Sequence, residues 1–279
     1  MTVFFDRRAI VTIDTIQFTA LDFNCHIKKS LKPEPNTCEL TVFNLNEEHV
    51  AQLELLRPKE KQATKGIPAK IEAGYKDGAL SQIWLGDLRT LLTTYDGPTT
   101  TTAVNSGDGE KGWKNAKLHV SFGPKTPLET ALRAFARAIG VGEGNLSKIV
   151  KNLKQAGSAI FPAGVAFSGS ASRQLIAFAR SADIEVSIQD GSFLFLDRGK
   201  ALAGSAIVVD PGHGMLGSPT VDNDGVVEVK MLLNPDFRLG GVMEINSKRV
   251  KGAYRAEEAE WDLDSTGSDW TITARGKRY

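Results

Sequence analysis

The sequence predicts a mainly β protein with a mixed α/β insertion: two barrel-like β modules flanking a mixed middle module. Three observations carry that expectation. Apolar and polar residues alternate at period two near both ends of the chain, which is the mark of half-buried strands. The longer apolar stripes of helical period lie in the middle. Charge changes at the same places, with 12 Lys+Arg and 13 Asp+Glu in residues 1–105, 13 and 8 in residues 106–200, and 9 and 12 in residues 201–279. The boundaries 1–105, 106–200 and 201–279 follow from these shifts.

The first module reads as β with one short helix. Ala9 to Ile13 is a β-branched apolar run, and Leu21, Phe23, Cys25 and Ile27 alternate with Asp22, Asn24, His26 and Lys28. Pro33 and Pro35 mark the stretch from Leu31 to Asn36 as a rigid loop or edge. Cys38, Leu40 and Val42 resume the alternation. Asn44 or Asn46 can cap a short helix over 47–56, with Val50 and Leu53 inward and Glu47 and Glu48 at its positive end. Pro58 follows it. Strands are expected over 69–75 and 82–92, separated by the turn Lys76-Asp77-Gly78, and again over 99–104. Five or six strands with one helix suggest a small barrel or sandwich.

The middle module mixes periods. Gly107–Gly112 lacks the Lys-Ser/Thr ending of a phosphate-binding loop and is read as a flexible connection. Thr126, Pro127 and Glu129 have the spacing of a capping box, opening a helix whose stripe is Leu128, Leu132, Phe135 and Ile139 and whose stop is Gly140. A second helix is expected over 145–155. Its Lys148, Lys151 and Lys154 are read as a solvated face rather than an anion-contact strip. A third is expected over 172–182. Leu132 to Arg137 and Leu175 to Arg180 echo each other, but two copies make no solenoid. Asp190-Gly191 predicts a hairpin turn between strands 184–189 and 192–196.

The last module returns to β, with strands expected over 206–209, 226–233, 242–246, 253–261 and 270–274. Loops fall at Asp210 to Gly214, Val221 to Gly225, Gly240-Gly241 and Asp264 to Asp269.

Composition excludes several function classes. A formal net charge of +1 argues against a dedicated nucleic-acid binder. Two cysteines cannot staple a secreted scaffold, so Cys25 and Cys38 are expected to be buried, reduced thiols. No run reaches the roughly 20 apolar residues of a membrane span. Asp6, Arg7 and Arg8 stand where a signal peptide needs its apolar core, so synthesis in the cytoplasm is expected.

The search for chemistry ends without a site. His213 with Asp210, Asp222 and Asp224 has no recognised metal-ligand spacing, and the Asp222–Gly225 run is not a twelve-residue calcium loop. Phe167-Ser168-Gly169-Ser170 lacks the nucleophile-elbow pattern. Cys25 and His26 point to opposite faces of one strand. No pair of carboxylates stands out for glycoside hydrolysis. No catalytic, cofactor-binding or metal-ligating residue is therefore expected, and no cofactor.

Order and spacing of several short motifs then point to a family. Leu40-Thr41-Val42-Phe43-Asn44-Leu45, Ile71-Glu72-Ala73-Gly74-Tyr75 and Ile83-Trp84-Leu85-Gly86-Asp87-Leu88 resemble the opening of baseplate hub proteins of contractile-tailed phages, Mu-like and Pseudomonas myophages among them. Leu232-Leu233-Asn234-Pro235, Val242-Met243-Glu244-Ile245-Asn246-Ser247, Gly252-Ala253-Tyr254-Arg255 and Gly267-Ser268-Asp269-Trp270-Thr271-Ile272 resemble their last barrel.

The resemblance implies a non-enzymatic hub in the virion tail baseplate, assembled in the host bacterial cytoplasm. It implies barrel-like tube domains at 1–105 and 201–279 and a homotrimeric ring. The ring joins the tail tube protein to the central spike protein. Other baseplate proteins are further partners, with the tape measure protein as a candidate, and DNA passes through the lumen without specific binding. Two rivals stand beside it: a tail-associated peptidoglycan hydrolase with a catalytic insertion carrying Glu110 or Glu129, and the hub of a related injection machine such as a tailocin or secretion apparatus.

Overall fold

The computed structural model describes residues 6–19, 22–57, 66–76, 78–155, 160–204 and 206–279. Along the chain the elements are β1 (Arg7–Ile13), β2 (Ile16–Phe18), β3 (Asp22–Ser30), β4 (Thr37–Phe43), α1 (Glu47–Leu55), β5 (Pro68–Tyr75), β6 (Ser81–Asp96) and β7 (Thr99–Gly107). There follow α2 (Glu110–Asn115), β8 (Lys117–Phe122), β9 (Thr126–Pro127), α3 (Leu128–Ile139), α4 (Leu146–Gln155), β10 (Ile160–Phe161), β11 (Val165–Ser170), α5 (Ala171–Ser181), β12 (Ile184–Gln189) and β13 (Ser192–Asp197). The chain finishes with β14 (Ala206–Val209), a short 3-10 turn at Pro211–His213, β15 (Met215–Val221), β16 (Val226–Leu232), β17 (Val242–Asn246), β18 (Lys251–Asp264) and β19 (Trp270–Arg278). The fold is mainly β, as the alternation predicts. No described helix is long and apolar enough to cross a membrane.

The chain divides into two compact units. One comprises residues 1–30, 36–107 and 202–279; the other comprises 31–35 and 108–201.

The first unit is built on one 13-stranded sheet. Its hydrogen-bonded path runs β15-β16-β19-β18-β3-β4-β7-β6-β5-β1-β2, with β14 and β17 branching from β18. The path is open at β15 and β2, and no closed barrel is found among the described residues. The decisive pairing is β3 with β18, which sets Ile27 opposite Trp261 and Cys25 opposite Leu263 although they lie more than two hundred residues apart. β3 and β4 bury every second side chain. Phe23, Cys25 and Ile27 face the core while Asn24, His26 and Lys28 do not, so a slip of one residue would invert the strand. Trp84, Trp270, Ile27 and Ile71 are among the largest fully buried side chains. Each contributes on the order of 2 kcal/mol by leaving water.

Asn46 caps α1 by accepting from the backbone N–H of His49 at 2.7 Å, which selects it over Asn44. Asn44 instead adopts a left-handed backbone (φ 52°) after β4. Leu21, Pro58 and Asp77 lie outside the described residues.

The sheet extends beyond the sequence expectation in several places: β2 is added, β18 runs over Lys251–Asp264 rather than 253–261, and β19 runs to Arg278 rather than 274. β6 continues past 92 to Asp96, and β7, which starts at Thr99 as expected, continues past 104 to Gly107. β15 is a strand that Gly217 and Pro219 disguise; it is an edge strand with an irregular register, where both residues are tolerated.

The second unit packs α3 and α5 with short hairpins around a phenylalanine cluster. Phe135 and Phe167 meet edge to face with centroids 4.9 Å apart, and Phe178 meets Phe167 at 6.4 Å. Two local expectations are corrected. The glycine stretch does not stay a loop through Gly112: α2 begins at Glu110, after Gly109 takes the left-handed conformation (φ 63°). Thr126 does not cap α3 either. Its hydroxyl donates to the carbonyl of Gly123 at 2.8 Å, and the cap position is Pro127, with no side-chain cap bond. Gly140 ends α3 with φ 81°, as its position predicts. The Asp190-Gly191 hairpin forms with both residues at positive φ.

Tyr75 gives a pH signature. Burial pushes its phenol up to about 12, against a weaker opposite pull from Arg7. The folded state thus holds the proton more tightly than the unfolded chain. This contribution to stability is complete below the unfolded value near 10 and is lost as pH rises from about 10 to about 12. Thermal melts of wild type and Tyr75→Phe are expected to differ in slope across that window. Identical slopes would show that Tyr75 does not carry the linkage.

Candidate interaction surface

With alternate residues buried, the strands of the first unit turn a polar face outward. Across the β3–β18 seam His26 Nδ1 lies 2.6 Å from Asp262 Oδ1, and Lys28 Nζ lies 3.4 Å from Glu260 Oε1. On the far side of β18, Arg275 Nε donates to Glu228 Oε2 at 2.6 Å, linking β19 to β16. That bond, with the carboxylate's charge, holds the Arg275 guanidinium still more firmly protonated. His26, Lys28 and Arg275 each meet a carboxylate across a strand pair, so these positions are charged yet locally balanced. Exposed pairs of this kind add less than about 1 kcal/mol each; their effect is on surface potential.

The loop that closes β18 onto β19 is fixed by its own acid. Asp264 Oδ1 accepts from the backbone N–H groups of Gly267 at 2.6 Å and Thr266 at 2.9 Å, which hold its carboxyl below the usual range. Arg7 reaches the same loop, donating to the carbonyls of Gly267 and Ser268, each at 2.7 Å, with its guanidinium 5.7 Å from the Trp270 ring. The first strand is thus clasped to the last hairpin.

The residues considered for chemistry have structural work. Asp210 accepts from the His213 backbone N–H at 2.9 Å, and its other close partner is His213 Nδ1 at 2.8 Å; this pairing holds the carboxyl low and fixes the 3-10 turn. Asp222 accepts from the N–H groups of Asp224 and Val226, shaping the turn into β16. Among the described residues no cluster of three His, Cys, Asp or Glu side chains could hold a metal ion. Glu110 is paired with Lys114, and Glu129 with Arg133 at 2.7 Å. Cys25 and Cys38 are buried with sulfurs 3.8 Å apart; the hydrogen bond to Cys38 and burial push the Cys25 thiol up, away from the reactive thiolate. Lys148 and Lys151 are exposed on α4.

One pair escaped the sequence search. His119 Nδ1 lies 3.0 Å from Ser168 Oγ, because β8 and β11 pair these two positions. No carboxylate is hydrogen-bonded to this histidine among the described residues. The pairing of strands 49 residues apart carries no sequence signal.

Comparison with known proteins gives a consistent picture. A family model described as baseplate hub gp41 matches residues 8–276. No curated protein sequence matches. Among solved structures, the 43 kDa tail protein of prophage MuSo2 from Shewanella oneidensis aligns with a TM-score of 0.67 at 9% identity, covering 98% of this chain and 97% of that one. The tail protein from Neisseria meningitidis MC58 aligns at 0.66 and 8% identity, with the same coverages. The E. coli c3393 protein, described as a component of the type VI secretion system with structural similarity to T4 tail proteins gp27 and gp5, aligns at 0.56 and 7% identity, covering 96% of this chain and 76% of that one. At such identities the likeness is one of fold.

Proposed function

Because the chain belongs to the baseplate hub gp41 family, we propose that it is a non-enzymatic structural hub, a homotrimeric ring joining the tail tube to the central spike of a phage tail. Residues 1–105 and 201–279 supply the tube-forming parts of the ring, and residues 106–200 are an insertion. The hub belongs to the virion baseplate, is assembled in the host cytoplasm, and bounds part of the path along which DNA leaves.

The observation that carries this reading is the β3–β18 seam. It makes one sheet from both ends of the chain, with a buried face and a polar face. A conduit wall must not hold phosphates, since unbalanced Lys and Arg on it would bind DNA and retard it. The pairing of His26 with Asp262, Lys28 with Glu260 and Arg275 with Glu228 supports a wall of that kind. The ion-paired state of Glu110 and Glu129 favours the structural reading over a hydrolytic insertion.

Sedimentation of the purified chain with tube and spike proteins tests the proposal. The expected species is a ring of three 30.2 kDa chains, about 90 kDa, that binds both partners. A stable monomer with affinity for neither would overturn it.

A further inference from the structure

One cavity in the first unit carries charge of both signs. It has a volume of about 200 Å³ and lies where β1, β2 and the start of β3 meet the loop before β19. Buried Val11, Phe18, Phe23 and Trp270 give it an apolar floor. Exposed Arg7, Arg8, Thr19 and Asp22 form its rim. Pockets for drug-sized ligands begin at roughly 300 Å³, so this one admits a single residue-sized group.

The rim charges are not equivalent. Arg7 is engaged by the carbonyls of Gly267 and Ser268. Neither the Arg8 nor the Asp22 side chain makes a hydrogen bond or ion pair with another described residue. This differs from the β3–β18 seam, where His26 and Lys28 meet carboxylates directly. Opposite charges that line one cavity without touching suit a molecule that accepts on one side and donates on the other. The floor adds a donor in want of an acceptor, since the buried indole Nε1 of Trp270 has no hydrogen-bond partner.

Charge narrows the choice. Arg7, Arg8 and Asp22 together leave an excess of one positive charge. A simple anion would leave Asp22 unpaired, and a simple cation would leave Arg8 unpaired. A free amino acid serves both but is neutral overall. The last residue of a polypeptide serves both and carries a single negative charge, with an amide N–H beside its carboxylate.

We propose that this cavity receives the C-terminal residue of a polypeptide chain. Its carboxylate accepts from Arg8, its amide N–H donates to Asp22, and an apolar side chain lies on the floor of Phe18 and Phe23. The site rests on its own lining and does not depend on assembly of a ring.

The test titrates the full-length chain with N-acetyl-leucine, N-acetyl-leucinamide, free leucine and acetate, read by ligand-observed NMR, which detects weak binding. N-acetyl-leucine is expected to bind about tenfold more tightly than its amide, the difference made by a charge-assisted hydrogen bond. Arg8→Gln is expected to lose about tenfold for the acid and to bind acid and amide alike. Asp22→Ala is expected to lose a similar factor while keeping the preference for the acid. Lys148→Gln, exposed in the other unit, is expected to bind as wild type does. Unchanged circular dichroism shows that each variant is folded. Absence of N-acetyl-leucine binding, equal affinity for acid and amide, or an Arg8→Gln protein that binds as wild type overturns the proposal. Tighter binding of free leucine overturns it in favour of a free amino acid, and equally tight binding of acetate overturns it in favour of a simple anion site.

Discussion

Replacing Asp108 with alanine is expected to destabilise the inserted unit by about 3 kcal/mol, the cost of leaving two N–H donors without a charged acceptor. Asp108 is fully buried. Its Oδ2 accepts from the Asp190 N–H and its Oδ1 from the Gly191 N–H, both at 2.7 Å. Those two residues form the turn of the β12–β13 hairpin, each with positive φ. The carboxylate therefore holds a turn 82 residues away, whose Gly191 carbonyl also accepts from the Gly142 N–H at 2.7 Å. Hydrogen exchange over 184–197 should accelerate in Asp108→Ala and less so in Asp108→Asn, which keeps an oxygen acceptor. Unchanged exchange in the alanine variant would mean that the turn is stable without its anchor.

Gly276→Ala is expected to cost about 3 kcal/mol, at the upper end for an overpacked site, and to disorder the end of β19. Gly276 sits opposite Ala256, where the register with β18 shifts. A Cβ there would overlap the carbonyl oxygen of Arg255 and approach the methyl of Met243 to 3.1 Å. Backbone cannot yield as a side chain can, so the strands must part. The chemical-denaturation midpoint should fall. Ala274→Gly, on the same strand and core face, is the comparison: it leaves β18 unobstructed and should cost only about 1 kcal/mol. A Gly276→Ala protein with wild-type midpoint would show that the sheet can absorb the side chain.

Much of the fold was legible because its signals are local. Alternation around Phe23, Cys25 and Ile27 needs only neighbours in sequence to mark a buried face. Gly140 and Asp190-Gly191 declare themselves through backbone conformations that few other residues accept. Asn46 was one of two candidate caps, and geometry chose between them. Thr126 misled because the capping-box spacing was present while its hydroxyl went back to Gly123. β15 was hidden because Gly217 and Pro219 look like breakers anywhere but at a sheet edge. The family was legible as well, since the order of strands, turns and aromatic positions is written along the chain.

The sequence alone determined the mainly β character, the helical segments of the middle, the buried thiols and the membership of a hub family. These depend on periodicity, turn chemistry and short motifs. The tertiary structure alone decided that β3 pairs with β18, that Asp108 anchors a distant turn, that His119 meets Ser168, and that Lys28 faces Glu260 and Arg275 faces Glu228 across strand pairs. The physical reason is the same in each case. Strand pairing joins residues by register rather than by separation, and no local pattern records which strand will lie beside which.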